Sequence, residues 1–271
     1  HGVHHRGVER GSVITTPPDD RDLIVVPMRE NLGFARGNNA ALECLKPVTP
    51  DYVLLLNNDT LVEPDFLVRL TDFMQEHPHY VALTPQIRYN AEREMIWNCG
   101  GKLTWGSRKY FYARQNYKQL PRVTHLDVTF ATGCALLFKP SLLNQHHHIF
   151  TEDFFFGEED YNLCSRLLRE NKKMACVLDA LIYHKVNASI TKVNNLGRIY
   201  IATLNRAIDM RQLHGAVQSW AWLTCFTIYT TCWMLKGGFT FSAVFRMFSR
   251  VWHQMLEGQR SVTKQDFEQA R

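Results

Sequence analysis

The chain has 271 residues, 45% of them hydrophobic and 21% charged, which is enough apolar matter for one large core or two smaller ones and excludes a disordered or fibrous chain. The formal net charge is +5, a mild basic excess that suits an anionic ligand or a membrane surface and calls for no nucleic-acid partner. Seven cysteines form no CxxC pair and sit mostly in apolar runs, which points to a reducing, cytosolic compartment rather than a disulfide framework.

In chain order, residues 1 to 22 are polar, without the apolar stretch of a secretory signal, and Pro17-Pro18-Asp19-Asp20 reads as a loop. Leu23-Ile24-Val25-Val26 and Val53-Leu54-Leu55-Leu56 are runs of the buried-strand kind, and Tyr80-Val81-Ala82-Leu83 is a weaker third. Between the first two, Asn38 to Leu45 fits a short helix. After the second, Pro64 suits a first helical position, Phe66, Leu70, Phe73 and Met74 make one apolar face, and Pro78 closes the helix. Residues 90 to 125 carry Gly100-Gly101 and many aromatics and read as an irregular or antiparallel insert. A further helix runs from Glu159 to Arg169 with Tyr161, Cys164, Leu167 and Leu168 inward. Strands alternating with helices in this way describe a sheet covered by helices, an α/β fold.

The last zone, 211 to 271, is different. No Asp, Glu, Lys or Arg occurs between Arg211 and Lys236, and Trp220 to Leu235 is rich in aromatics but dotted with Thr. Such a run is marginal for a span, which needs about 20 apolar residues. Its Trp and Tyr residues, followed by Lys236, Arg246 and Arg250, suit a helix lying at a membrane interface. A core hairpin or one that pairs two copies of the chain is the other reading.

Four constellations could carry chemistry. Asn57-Asn58-Asp59 follows a buried strand directly, where open α/β sheets bind ligands, and a lone carboxylate there suits a hard cation that keeps substrate phosphates in its shell; an ordinary turn is the alternative. Glu30 to Asn39 holds Gly33 and Gly37, and N–H groups opening a helix after Gly37 would face an anion, although neither standard nucleotide fingerprint is present. Glu158-Glu159-Asp160 follows Phe154-Phe155-Phe156-Gly157; a helix dipole alone accounts for the acids, but the aromatic lead-in would hold one of them against an apolar wall as a general base. His184 ends the strand-like run Val177 to Tyr183. The triplet His146-His147-His148 reads as surface, and Asn187-Ala188-Ser189 is a sequon in form only.

The order of these motifs carries more than any one of them. Asn31-x-Gly33-Phe34-Ala35-x-Gly37-Asn38-Asn39, then Leu55 to Asp59 with Pro64, then Thr132-Gly133-Cys134, then Glu159-Asp160 with Arg166, then Tyr183-His184 and Ser189, resembles the family 2 glycosyltransferases. Within them it is most similar to the bacterial rhamnosyltransferase and galactofuranosyltransferase branch that builds cell-surface polysaccharide. The resemblance covers residues 23 to 210 and implies a GT-A fold, with a C-terminal helical segment over 211 to 271.

It also implies roles. Asp59 would bind a divalent cation, Mg²⁺ or Mn²⁺, that bridges a nucleoside-diphosphate-sugar donor, with Asn57 standing where the family's motif has its first acid; His184 would be the second metal ligand. Asn31, Gly37, Asn38, Asn57 and Asn58 would line the donor site, and Thr132 and Gly133 the transferred sugar and acceptor. Asp160 would be the catalytic base, with Glu159 beside it. The implied activity is inverting transfer from a dTDP- or UDP-sugar to a glycan or lipid-linked acceptor at the inner face of the cell membrane. A non-catalytic membrane-associated module of the same fold is the alternative, and a metal-dependent hydrolase using Asp59, Asp160 and His184 a weaker one. The family opens with a strand, a helix and a second strand ending in an Asp-rich turn; His1 to Asp22 match none of these, so the chain reads as a fragment.

Overall fold

A computed structural model describes residues 4–7, 22–46, 49–186 and 195–270. The sequon and Ser189 lie outside them. Two compact units result: one of residues 1–103, 108–152 and 159–188, the other of 104–107, 153–158 and 189–271.

The first unit begins with β1 (His4–Gly7) and β2 (Asp22–Val25), a parallel pair forming its own two-stranded sheet. Leu23 and Val25 are exposed, so the apolar run read as a buried strand is a strand with open faces here. Then come α1 (Phe34–Cys44), β3 (Val53–Leu56), β4 (Thr60–Val62), α2 (Phe66–Glu76), β5 (Tyr80–Tyr89), β6 (Ile96–Asn98), β7 (Gly101–Thr104), β8 (Ser107–Tyr110), β9 (His125–Val128), β10 (Ala135–Phe138), α3 (Glu159–Arg169) and β11 (Lys173–His184). The main sheet runs β3-β10-β5-β11-β4, with β6 added to β5 and β9 to β11; β5 and β11 are parallel and the other pairs antiparallel. It is a mixed α/β sheet flanked by helices, as the periodicity predicts, and β6 to β9 make the antiparallel insert.

The face of α2 is the one read from spacing: Phe66, Leu70, Phe73 and Met74 are buried against Leu83, Ile87, Leu137, Val177 and Ile182. Removing such apolar side chains from water contributes about 1.5–3 kcal/mol each. Pro64 stays outside this helix, whose flanking residues are Asp65 and His77. On α3, Leu163 is buried and Leu168 exposed, because the inner stripe runs through Tyr161, Leu163, Cys164 and Leu167. The earlier start of α1, at Phe34 instead of Asn38, follows from Gly33, whose φ of 81° is open to glycine and sets the turn into the helix.

The second unit contains α4 (Asn195–His214), α5 (Ala216–Lys236), α6 (Phe241–Leu256) and α7 (Lys264–Gln269). Because α4 runs unbroken through residue 210, this helical body begins before the compositional change suggests. Its core joins Leu204, Ile208, Trp222, Leu223, Met234, Val244, Phe248 and Val251, and it takes in Phe154. Much of the aromatic content of α5 is therefore spent on packing. Gly106 is held beneath the indole of Trp222 with φ 65°; a Cβ there would meet the ring at 2.1 Å. No helix among the described residues is long and apolar enough to cross a membrane.

Candidate active site

Strand register gathers the chemistry at one end of the main sheet. Ala135 pairs with Leu56 in the antiparallel β10–β3 ladder, so the chain enters β10 where it leaves β3, and the Asn57 N–H donates to the Cys134 carbonyl at 2.9 Å. Thr132-Gly133 and Asn57-Asn58-Asp59 are thereby neighbours. His184 pairs with Thr60 across β11 and β4, and the Lys185 N–H donates to the Asp59 carbonyl at 2.9 Å, which brings the last residue of β11 to Asp59.

His184 Nε2 lies 3.2 Å from Asp59 Oδ1, with the His184 ring edge-on to Trp97 at 4.6 Å. The approach lacks hydrogen-bond alignment: Asp59 Oδ1 and His184 Nδ1 are buried polar atoms without a hydrogen-bond partner. Burial lowers the His184 pKa from its ordinary value, against the opposing pull of the Asp59 carboxylate, so the imidazole is neutral and has a lone pair to give at neutral pH. An unmet carboxylate oxygen beside a neutral imidazole is a donor set that fits a divalent cation. Among the described residues no group of three or more His, Cys, Asp and Glu gathers to hold a metal. Asp59 and His184 would hold such a cation through a carboxylate oxygen and an imidazole nitrogen, and it would supply positive charge at the strand ends.

The three adjacent acids have separate fates. Glu158 and Glu159 are buried, at 2% and 4% exposure, whereas the Asp160 side chain is 23% exposed. Glu158 is gripped by the buried Arg206. Asp160, in the first turn of α3, has its Oδ1 3.2 Å from Nη1 of Arg108, whose guanidinium also lies over the Phe130 ring at 5.0 Å. One helical turn further on, Cys164 Sγ both accepts from the Ala131 N–H and donates to the Ala131 carbonyl, each at 3.3 Å. That tie fixes α3, and Asp160 with it, against the segment leading into Thr132-Gly133. Of the three acids, Asp160 is the one placed to meet a hydroxyl from solvent.

Gly133 faces Phe34 so closely that a Cβ would stand 3.0 Å from the ring, which sets the first residue of α1 against the Thr132-Gly133 turn. Thr132, also buried, accepts from the Cys134 N–H at 3.3 Å. The expectation for Gly37 is corrected: its N–H donates to the Gly33 carbonyl inside α1, so the open N–H groups belong to Phe34, Ala35 and Arg36. Asn38 turns its amide back onto the Phe34 carbonyl at 2.8 Å, and Asn31 caps the turn by accepting from the Gly33 N–H at 2.9 Å. Asn57 accepts from the Thr60 hydroxyl through its carbonyl at 2.6 Å, while Asn58 is exposed.

Sequence reasoning passed over Arg108 and, beyond their place in the motif, gave no role to Phe34 and Asn39. The last is fully buried and ties α1 to Ile149 and Phe150 by three hydrogen bonds of 3.0–3.3 Å. An asparagine at an otherwise apolar helix position was the one signal for it. His148 is not a surface residue either: its Nε2 meets Glu43 Oε1 at 2.5 Å and its Nδ1 lies 3.7 Å from Glu152.

No curated protein matches the sequence. Among solved structures, GalNAc-T7 with UDP, GalNAc and Mn²⁺ superposes with a TM-score of 0.51 at 12% identity over 70% of this chain and 36% of its own. A mannosyltransferase, PcManGT from Pyrobaculum calidifontis in complex with GDP-Man and Mn²⁺, gives a TM-score of 0.42 at 12% identity over 88% of this chain and 64% of its own. The chain thus spans less than two thirds of the length of either. The first likeness is one of fold, and the fold is that of the GT-A glycosyltransferases. The family described as glycosyltransferase like family 2 matches residues 12–198, a stretch that contains Asp59, the Thr132-Gly133 turn, Asp160 and His184 in the order read above, and the chain belongs to that family.

Proposed function

We propose that the chain is a metal-dependent, inverting glycosyltransferase that moves a rhamnose-like or other hexose from a dTDP- or UDP-sugar to a cell-surface or lipid-linked glycan acceptor. The observation that carries this reading is the buried, unmet Asp59 Oδ1 facing the neutral His184 at the strand ends. The order of motifs supports the rhamnosyl and galactofuranosyl branch, and the fold is one whose neighbour GalNAc-T7 was solved with UDP and Mn²⁺.

A bound divalent cation would neutralise charge on the leaving diphosphate. The rest falls to the chain. Phe34, Ala35 and Arg36 offer N–H groups at the α1 N-terminus, and Asn31, Asn38, Asn57 and Asn58 border the donor; Gly37 contributes by lacking a side chain. Thr132 and Gly133 shape the place for the transferred sugar and acceptor, and Glu159 anchors the start of α3 beside the base. Asp160, oriented by Arg108 through Oδ1, accepts the proton of the acceptor hydroxyl as its oxygen bonds to the anomeric carbon and the bond to the diphosphate breaks on the opposite face. A single carboxylate suffices for this one-step displacement, which inverts the anomeric centre.

The exposed Tyr229, Trp233, Phe241 and Phe245, next to Lys236 and Arg246, support peripheral binding to an anionic bilayer at the inner membrane face. Sedimentation with phosphatidylglycerol vesicles reads this directly; binding that survives the Trp233→Ser, Phe241→Ser double variant overturns it. The catalytic reading is tested by calorimetry of UDP and dTDP with and without Mn²⁺. Saturable binding that needs the metal is expected. Failure of both nucleotides to bind in its presence favours the non-catalytic module.

A further inference from the structure

Strand pairing fixes the backbone of His184 on both sides. It pairs with Thr60 of β4 and with Tyr89 of β5, and its carbonyl accepts from the Asn90 N–H at 3.0 Å. None of this sets the direction of the ring, because χ2 of a histidine is a broad, roughly two-fold torsion. A metal-ligating imidazole ordinarily fixes its direction through the second ring nitrogen, which donates to a carboxylate, a backbone carbonyl or water. His184 does not use that device: its Nδ1 is buried and has no hydrogen-bond partner.

Trp97 supplies the constraint instead. Its indole meets the imidazole edge to face, with centroids 4.6 Å apart and planes at 66°. That is an arrangement two aromatic rings prefer, and turning the imidazole about χ2 would forfeit it. The indole is itself held in place. β6 pairs with β5 on one side, and on the other the Ile96 N–H donates to the Gln115 carbonyl at 2.9 Å while the Ile96 carbonyl accepts from the Arg114 N–H at 2.8 Å. Ile96 and Asn98 are buried on either side of it, and the half-buried Trp97 packs against the core that contains Ile87 and Ile182.

We infer, resting on the proposal that Asp59 and His184 hold the cation, that Trp97 is the positioning residue of that site: its indole, in place of the usual hydrogen bond to the second ring nitrogen, fixes the direction in which His184 Nε2 faces Asp59 Oδ1. Trp97 supplies no ligand atom and acts only through the imidazole. Its loss therefore costs metal affinity by letting the ring turn, although both ligands remain in the chain.

Two measurements on the whole chain test this. With isotope-labelled histidine rings and no metal, the His184 resonance, assigned by its loss in His184→Gln, should be displaced by the indole ring current and return to the ordinary range in Trp97→Leu. Titration with Mn²⁺ in the presence of UDP, the free ion read by electron paramagnetic resonance, gives the consequence. Trp97→Leu should weaken Mn²⁺ about tenfold, the lower end of the range for groups that support a metal ligand. Trp97→Phe, which keeps a ring, should lie closer to the unaltered chain, and Phe73→Leu, in the same core but on α2, should lose stability without changing Mn²⁺ affinity. An unaltered chain that binds no Mn²⁺ overturns the metal-site proposal and the role of Trp97 with it. Unchanged Mn²⁺ affinity in folded Trp97→Leu overturns the role of Trp97 alone, as does a Trp97→Phe chain as weak as Trp97→Leu. Should Trp97→Leu not fold, the unaltered chain decides: a His184 resonance without ring-current displacement overturns the positioning role.

Discussion

Arg206 holds Glu158 with one edge of its guanidinium, Nε on Oε1 and Nη2 on Oε2 at 3.2 Å, and uses Nη1 to reach the Gly106 carbonyl at 2.7 Å. The pair is buried and two-pronged, the geometry in which arginine and carboxylate hold each other best. It stitches three separate stretches of sequence, 104–107, 153–158 and α4, into the helical unit. Glu158 is thereby a structural anion although it sits next to the proposed catalytic acids.

Removing one partner alone leaves a buried charge uncompensated, which costs about 3–5 kcal/mol. Glu158→Leu and Arg206→Met should each lose that much in urea denaturation. The double variant, with both charges gone, should recover a large part of it, since apolar replacements of buried pairs are often close to neutral. Single variants that cost less than about 1 kcal/mol would show the fork to be in contact with solvent.

For the pair of Asp59 and His184, Asp59→Asn should abolish metal-dependent UDP binding while raising thermal stability slightly or leaving it unchanged, because a buried unmet carboxylate oxygen is replaced by a neutral group. His184→Ala should weaken that binding by about 10–100-fold, the range seen even when groups that merely support a metal ligand are lost. Calorimetry with and without Mn²⁺ checks both. Equal UDP affinity in the Asp59→Asn chain would remove that residue from the donor site.

How much of this was legible in the sequence depended on range. The helical face of α2 and the span of α3 follow from periodicity, which is a local property, and both agree with the structure. Asn57 to Asp59 and His184 were readable as strand-end residues, but their meeting depends on the antiparallel pairing of β4 with β11, about 120 residues apart in the chain, which no local pattern encodes. The start of α1 was misplaced because Gly33, not Gly37, takes the positive φ, and two glycines four apart look alike in sequence. Arg206 was invisible for the same reason as the sheet register: its partner lies 48 residues away. The aromatic run of α5 was legible as a helix suited to an interface or a core hairpin, but which of its rings turn inward was decided by α4 and α6.

Asp160→Asn should lower the transfer rate by about 10²–10⁴-fold, the usual worth of a positioned general base, with nucleotide affinity unchanged. Arg108→Met tests the positioning role. Since the Arg108 guanidinium pairs with Asp160, its loss should reduce kcat while the affinity for UDP and Mn²⁺ holds. Turnover retained in the Asp160→Asn chain would sink the assignment of the base.

The last prediction concerns the alkaline limb of stability. The Tyr80 hydroxyl donates to Asp127 Oδ1 at 2.5 Å between β5 and β9, and its pKa is pushed from 10.0 up to about 12, first by burial and then by that hydrogen bond. Below pH 10 the folded and unfolded chains both keep this proton, and the stabilisation is fully present. Above it the unfolded chain ionises while the folded chain does not, so stability falls as pH rises until the folded hydroxyl too ionises near pH 12. Buried Cys134 and Cys164, both raised to about 12 by burial, add slope of the same sign from pH 9 upward. Urea midpoints between pH 8 and pH 11.5 should therefore decline, and Tyr80→Phe should flatten the part of the curve above pH 10 while lowering the plateau below it through loss of the Asp127 bond. An unchanged slope in that variant would mean that Tyr80 ionises in the folded chain as readily as in the unfolded one.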